Sequence, residues 1–271
     1  MKIKKFNFKK TKTNILKKFY NEEGYIVIRN IFSESDTIKL NKSISFFADD
    51  DWHNIMNPDR IEFLMSQNYS RFSKLKTLNE RINFFEKAQK TSKLFRSYLT
   101  SNKIQSILHK LTNKKFVGLM SHVIFKKHNT KFSKQAWNMH QDNSYAKMEK
   151  GCFVTTNLFI HKATKKNGCL FLLPGSHKNG LFKFKKWTSY HAKKNQKPGN
   201  IIQKNLNDYK RIDLIVKAGD FLIMNGDLIH GSYPNLSKKY SRHLLSFNYG
   251  VKGKKFSPGF TAKRKEIYFN T

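Results

Sequence analysis

The sequence predicts a mainly β protein with added helices, the helices coming first and packing on one sheet. Before about residue 115, apolar residues recur at helical spacing; after it, short β-branched and aromatic runs alternate with turn signals. Asn167-Gly168, Pro174-Gly175, Asn179-Gly180, Ala218-Gly219 and Asn225-Gly226 punctuate those runs, with no helical pattern between them. Many short strands with regular turns make a sandwich, jelly roll or barrel, not a parallel α/β sheet.

The elements follow in order. A helix over 14–22 stops at Gly24, the usual residue just past a helix end. Tyr25, Ile26, Val27 and Ile28 are β-formers and give a strand. Ser33 with Asp36 three residues on is a helix-start pattern close to the capping box. Ile38, Leu40, Ile44 and Phe47 then recur at roughly helical spacing. Segment 49–60 has no period and reads as loop, and helices follow over 78–99 and 104–111. Strands are expected at 116–126, 152–161, 168–173, 212–217, 220–225 and 242–250. Residues 1–13 read as a basic, flexible N-terminus. Residues 14–271 read as one domain, helical over about 14–115 with a β core over about 116–250.

A chain of 271 residues buries enough surface to fold without staples. Its 24 phenylalanines and 14% aromatic content argue against disorder despite a mean hydropathy of −0.65. Cys152 and Cys169 sit in apolar stretches and read as core residues in a reducing compartment. The apolar stretch 116–125 is far shorter than the ~20 residues of a membrane-spanning helix. Residues 1–20 carry eight lysines and no acid, but Lys17 and Lys18 interrupt the apolar core a secretory signal needs. The expected location is cytoplasmic.

Lys+Arg is 53 and Asp+Glu is 18, a net charge of +35. Such a field favours anionic partners: nucleic acid, acidic lipid, or phosphorylated and acyl-carrier-linked substrates. Only eight of the cations are arginine, which also fits the residue bias of an AT-rich coding sequence; that bias does not account for the shortage of acids. Residues 178–211 concentrate the feature, with ten Lys or Arg, the single acid Asp208, and interleaved Phe182, Phe184, Trp187, Tyr190 and Tyr209. Long loops in compact domains tend to be functional or disordered, and these aromatics argue against a plain linker. The stretch is either a rim of a pocket mouth or a solvated loop with core aromatics.

The chemistry centres on His140-Gln141-Asp142. In a strand, positions i and i+2 face one way, so His140 and Asp142 could both reach one metal. The run Gly219-Asp220-Phe221-Leu222-Ile223-Met224-Asn225-Gly226-Asp227-Leu228-Ile229-His230 leads from a turn through an apolar strand to a further histidine. Two imidazoles and one carboxylate form the facial triad of non-haem Fe(II) enzymes, which leaves three positions free for a bidentate cosubstrate and O2. Arg242 lies twelve residues after His230; a guanidinium can clamp a carboxylate with two parallel bonds, and Ser232 could add a hydroxyl. His122, His128, His161, His177 and His191 lack a carboxylate at strand spacing and read as structural.

The blocks HQD (140–142), NGCLFLLPGSHKNG (167–180), AGDFLIMNGDLIHGSYPN with the following Arg242, and EEGYIVIRNIFS (22–33) resemble the phytanoyl-CoA dioxygenase family of Fe(II)/2-oxoglutarate oxygenases. Four separated blocks occur in the family's order over roughly residues 14–250. The resemblance implies a double-stranded β-helix, the cupin-like jelly roll. It implies His140, Asp142 and His230 as iron ligands, and Arg242 with Ser232 as the seat of the distal carboxylate of 2-oxoglutarate. Fe(II), 2-oxoglutarate and O2 are the implied cofactors, with succinate and CO2 as coproducts. The implied substrate is small or acyl-carrier-linked and anionic. Asn157 stands where human phytanoyl-CoA hydroxylase carries a tryptophan near the cosubstrate, which leaves the substrate open. A non-catalytic basic jelly roll binding nucleic acid or acidic polymer is the competing reading, since interleaved cations and aromatics suit single strands; it leaves the triad without a purpose. An oxygenase acting on nucleic acid or at a membrane surface would merge the two.

Halogenases related to this family replace the carboxylate ligand by a small residue, which makes room for halide. Asp142 keeps that carboxylate, so the expected product is hydroxylated, not chlorinated. Mass spectrometry of turnover mixtures containing chloride should show addition of oxygen and no chlorine isotope pattern.

Overall fold

The computed structural model describes residues 3–47, 93–124, 126, 128, 136–183, 201, 206–258 and 264–269. The expected loop at 49–60, the first part of the helix at 78–99 and the middle of the stretch 178–211 lie outside the described residues. Strands are β1 (Lys5–Asn7), β2 (Tyr25–Arg29), β3 (Phe116–Ile124), β4 (Trp137–His140), β5 (Phe153–Phe159), β6 (Leu170–Leu172), β7 (Ile212–Asp213), β8 (Phe221–Asn225), β9 (His230–Ser232) and β10 (Leu244–Val251). Helices are α1 (Thr13–Glu23), α2 (Glu34–Phe47), α3 (Lys93–Leu99), α4 (Asn102–Thr112) and α5 (Asn143–Ala146).

Strands β3–β10 form two antiparallel sheets, ordered β8-β5-β10-β3 and β4-β9-β6-β7. The chain crosses between the sheets at nearly every step, the winding of a double-stranded β-helix. β2 pairs antiparallel with β8, and β1 parallel with β2, so the larger sheet has six strands in the order β1-β2-β8-β5-β10-β3.

Alternation along each strand decides which side it covers. Ile26, Ile28, Val154, Leu158, Phe221, Ile223, Leu245 and Phe247 point outward from the large sheet. They bury Leu16 and Tyr20 of α1, Phe95 and Leu99 of α3, and Ile104, Ile107, Leu108 and Leu111 of α4. Tyr25, Val27, Phe159, Leu222, Met224 and Leu244 point the other way and meet Leu172, Leu214 and Val216 between the sheets. Both faces of the large sheet are thus apolar, which is why its strands read as continuous hydrophobic runs. The helices pack on one sheet, as the sequence predicts.

Several local signals are realised. Ser33 and Asp36 form the reciprocal cap: the Ser33 N–H donates to Asp36 Oδ2 at 2.7 Å, and the Asp36 N–H to Ser33 Oγ at 3.1 Å. Cys152 and Cys169 are buried free thiols. Among the described residues no helix is long and apolar enough to cross a membrane.

Three expectations need correction. Residues 5–7 are not a frayed tail: Phe6 is buried against Phe19 at 4.9 Å, the backbone extends the sheet, and Lys5 Nζ pairs with Asp220 at 2.7 Å. Ile38 is exposed, because two positions along a helix separate it from buried Leu40 by roughly 200° and put it on the opposite face. The strands expected at 168–173 and 212–217 shrink to three and two residues, because the small sheet is narrow and its chain turns out of the ladder quickly.

Gly24 joins α1 to β2 with φ +77°, its N–H capping the Tyr20 carbonyl at 2.8 Å. A Cβ there would stand 2.4 Å from His177 Nδ1. His177 is buried and bonds the Asn21 carbonyl at 3.1 Å, a structural role as expected. Gly24→Ala combines left-handed strain with a clash and should cost about 2–4 kcal/mol, read from urea unfolding.

Candidate active site

The site lies where the small sheet pairs β4 with β9. In that antiparallel pair His140 is directly opposite His230, so the two rings meet with centroids 4.3 Å apart. The backbones must approach closely there. Gly231 allows it: a Cβ would lie 2.7 Å from the Trp137 carbonyl oxygen and 2.5 Å from Phe171.

Asp142 arrives differently from the sequence expectation. β4 ends at His140, and Asp142 has helical dihedrals (φ −62°, ψ −34°) at the start of α5. The turn, not strand alternation, swings its carboxylate back to the two rings. Oδ1 then lies 3.5 Å from His140 Nε2 and 3.6 Å from His230 Nε2. One ligand atom from each of the three residues falls within 4.8 Å of the others.

Each ring has a fixed orientation. His140 Nδ1 lies 2.8 Å from the Asn138 carbonyl and His230 Nδ1 lies 3.0 Å from the Leu228 carbonyl. A carbonyl only accepts, so both Nδ1 atoms donate and both Nε2 lone pairs face the centre. Burial pushes His230 down to about 4, against the opposing pull of Asp142, so the ring is neutral near pH 7. Removal from water works to raise the Asp142 carboxyl. The imidazoles of His230 and His140, together with the Thr155 hydroxyl, outweigh it and hold the group below the usual carboxylate range. Two imidazoles and one carboxylate are the donor set that suits Fe(II).

Residues the sequence reading passed over hold this set in place. Thr155 Oγ1 donates to Asp142 Oδ2 at 2.6 Å, and Asn248 Nδ2 donates to Thr155 Oγ1 at 3.0 Å. Both point inward from neighbouring strands, β5 and β10, at paired positions. Gln141 is buried; its Nε2 donates to the carbonyls of Asp227 at 2.6 Å and Gly180 at 2.7 Å, and its Oε1 accepts from the Phe182 N–H. Asn143 adds a bond from Nδ2 to Asp227 Oδ1 at 2.7 Å. The turn after His140 is therefore tied to the turn before His230. An isolated Thr or Asn on an apolar strand gives no sequence signal of such a role.

Ser232 ends β9, two residues beyond His230 on the same face, and is buried. Arg242 does not open the last strand as expected but precedes it by two residues, 1% exposed. Burial lowers its guanidinium to about 10. Its Nε donates to the Gly168 carbonyl at 3.0 Å, while Nη1 is buried without a hydrogen-bond partner. A guanidinium so placed fits a carboxylate ligand. Of the remaining histidines, His128 bonds Ser241 at 2.9 Å and His161 accepts the His243 N–H, both structural. The side chain of His122, and His191, lie outside the described residues.

The described flanks of the stretch 178–211 pack away from the metal-facing side. Phe182, Ile201, Leu206 and Tyr209 lie with Met139, Phe171, Leu173 and Ile229, which alternate with His140, Leu172 and His230 and so cover the outer face of the small sheet. Phe182 and Tyr209 are partly buried against this cluster.

A double-stranded β-helix with this triad and this arginine defines a non-haem iron oxygenase of the 2-oxoglutarate-dependent class. Within that class the chain belongs to the phytanoyl-CoA dioxygenase (PhyH) family, whose model matches residues 20–244. A phytanoyl-CoA dioxygenase of Arabidopsis thaliana is 27% identical over 265 residues, covering 85% of this chain and 86% of that protein. The human peroxisomal phytanoyl-CoA dioxygenase is 23% identical over 235 residues, covering 84% of this chain and 65% of that protein. The same fold occurs in the epimerase SnoN, solved with Fe3+, alpha ketoglutarate and nogalamycin RO (TM-score 0.65, 14% identity, 96% of both chains). It occurs also in the carbocyclase SnoK from nogalamycin biosynthesis (TM-score 0.63, 15% identity, 94% of this chain and 90% of that one).

Thr155→Val removes the hydroxyl that holds Asp142 while keeping the side-chain volume. It should weaken Fe(II) affinity by roughly 10–100-fold, read from anaerobic titration against a competing chelator.

Proposed function

We propose that the chain is a dioxygenase that hydroxylates a small or acyl-carrier-linked, anionic organic substrate, with His140, Asp142 and His230 holding Fe(II) and Arg242 with Ser232 receiving 2-oxoglutarate. One observation carries the reading: an imidazole and carboxylate triad whose His230 shares strand β9 with Ser232 lies beside a buried guanidinium whose Nη1 has no hydrogen-bond partner among the described residues. When bound, the metal and cosubstrate supply the oxidising power, yielding succinate and CO2 beside the hydroxylated product.

The chain's own residues bind and orient. The two imidazoles present lone pairs already turned inward by the Asn138 and Leu228 carbonyls. Asp142 contributes one negative charge and is anchored by Thr155. Arg242 offers a fork that fits a carboxylate in two parallel bonds, which fixes the direction of the dicarboxylate relative to the triad. Asn157 and Ser246 face each other across β5 and β10, buried on the inner side with Thr155 and Asn248. They provide polar lining for a substrate that carries oxygen or nitrogen functions. The +35 net charge supports an anionic substrate by raising its encounter rate. A cytoplasmic site of action belongs to the same proposal and is supported by two buried free thiols.

The test is an anaerobic titration with Fe(II) and 2-oxoglutarate, following the visible metal-to-ligand charge-transfer band. Wild type should develop the band, and Arg242→Ala should need far more 2-oxoglutarate to reach it. Alanine at His140, Asp142 or His230 should abolish both the band and succinate release. A folded wild type that never develops the band would overturn the reading.

A further inference from the structure

Two buried cations lie together with no anion between them among the described residues. Lys126 follows β3 and is 2% exposed; Arg242 precedes β10 and is 1% exposed. Their backbones exchange both bonds, Arg242 N–H to the Lys126 carbonyl at 2.9 Å and Lys126 N–H to the Arg242 carbonyl at 3.2 Å. Such a pair places its side chains on one side of the ladder, with Cα atoms about 5.5 Å apart. Lys126 Nζ donates to Ser232 Oγ at 2.8 Å and to the Tyr233 carbonyl. The Asn235 side chain holds the Lys126 carbonyl at 2.8 Å.

Among the described residues the surroundings supply no countercharge. Burial and the neighbouring Arg242 both depress the Lys126 ammonium, and only the Cys169 thiol acts the other way. That thiol is itself pushed up to about 11 by burial, so it is uncharged near neutral pH. Among the described residues neither Lys126 nor Arg242 makes an ion pair with a carboxylate. Two cations taken out of water without an anion are costly unless a ligand supplies one.

Position identifies the ligand chemistry. Ser232, which Lys126 grips, lies two residues beyond His230 on the same face of β9, about 7 Å along the strand. A five-carbon 2-oxo diacid spans that distance from a metal-chelating keto acid end to its far carboxylate; a three-carbon oxo acid does not.

We propose that Lys126 is a second cation for the distal carboxylate, forming with Arg242 and Ser232 a three-donor seat that selects 2-oxo dicarboxylates over 2-oxo monoacids. The ammonium also orients Ser232: with the lone pair of Oγ occupied by Lys126, the hydroxyl hydrogen is free to point at the ligand. This inference rests on the 2-oxoglutarate reading above and adds a residue to it.

The experiment uses the Fe(II)-loaded protein without oxygen and follows the charge-transfer band with 2-oxoglutarate and with 2-oxovalerate, an acid of the same length lacking the far carboxylate. Lys126→Met keeps the length and removes the charge. Its Kd for 2-oxoglutarate should rise by roughly 10–100-fold, as expected for a lost bond to a charged group, while its Kd for 2-oxovalerate stays within about twofold of wild type. Unchanged 2-oxoglutarate affinity in the variant would overturn the proposal. So would equal losses for both acids, which would mean that Lys126 only shapes β9. Should methionine prevent folding, Lys126→Gln keeps a donor toward Ser232 without the charge and is read in the same way. A folded wild type that binds neither acid brings down the cosubstrate reading itself, a different failure from a variant that behaves like wild type.

Discussion

The register of β4 against β9 is the constraint on which the site depends. His140 faces His230 only because these strands pair at that residue, and a slip of either strand by one position would turn its own ring to the outer face. A pair of strands four and three residues long cannot fix its own register. The structure supplies the missing constraint from outside the ladder. Gly231 permits close approach, β6 pairs the other edge of β9 with Leu172 opposite His230, and Gln141 and Asn143 fasten the adjoining turn to Asp227. These bonds are buried, where an unmatched polar group costs about 1–3 kcal/mol, so any slip loses several of them together.

The same logic explains the two additions to the β-helix. Each sheet has an outer face that must be covered. On the large sheet the N-terminal helices cover it; on the small sheet the flanks of the 178–211 stretch do so with Phe182, Ile201, Leu206 and Tyr209. Phe182 and Tyr209 serve this cover. Gln141 links the cover to the metal site, because its side chain holds Gly180 and Phe182 on the outside while its neighbours His140 and Asp142 face inward. Packing outside the barrel and ligand placement inside it are therefore one mechanical unit.

Much of this was legible in the sequence, and the rest was hidden for physical reasons. Gly24, the Ser33–Asp36 cap and the apolar strands rest on local propensities, which survive in the fold. The triad was legible because His140-Gln141-Asp142 and the run ending at His230 resemble two separated blocks of a known family in that family's order. Its geometry was not: Asp142 reaches the centre through a turn, and no period in the sequence distinguishes a strand from a turn across two residues. β1 was hidden by lysines, whose charge masks the single buried Phe6. Lys126 was hidden by abundance, since the chain has 53 Lys or Arg and only burial sets this one apart.

That contrast separates two electrostatic roles. Exposed lysines act through water, where charges beyond about 8 Å are screened at physiological salt, so they raise the encounter rate of anions without discriminating among them. Lys126 and Arg242 act where screening is weak and no solvent replaces a missing partner. Across one face of β9 the site then runs from an anionic, metal-directed end at Asp142 and His230 to a cationic end at Lys126 and Arg242. A diacid can satisfy both ends in only one direction, with its chelating group at the triad. On the proposed reading, selectivity for such a ligand resides in two buried cations, and the large surface charge adds speed but no specificity.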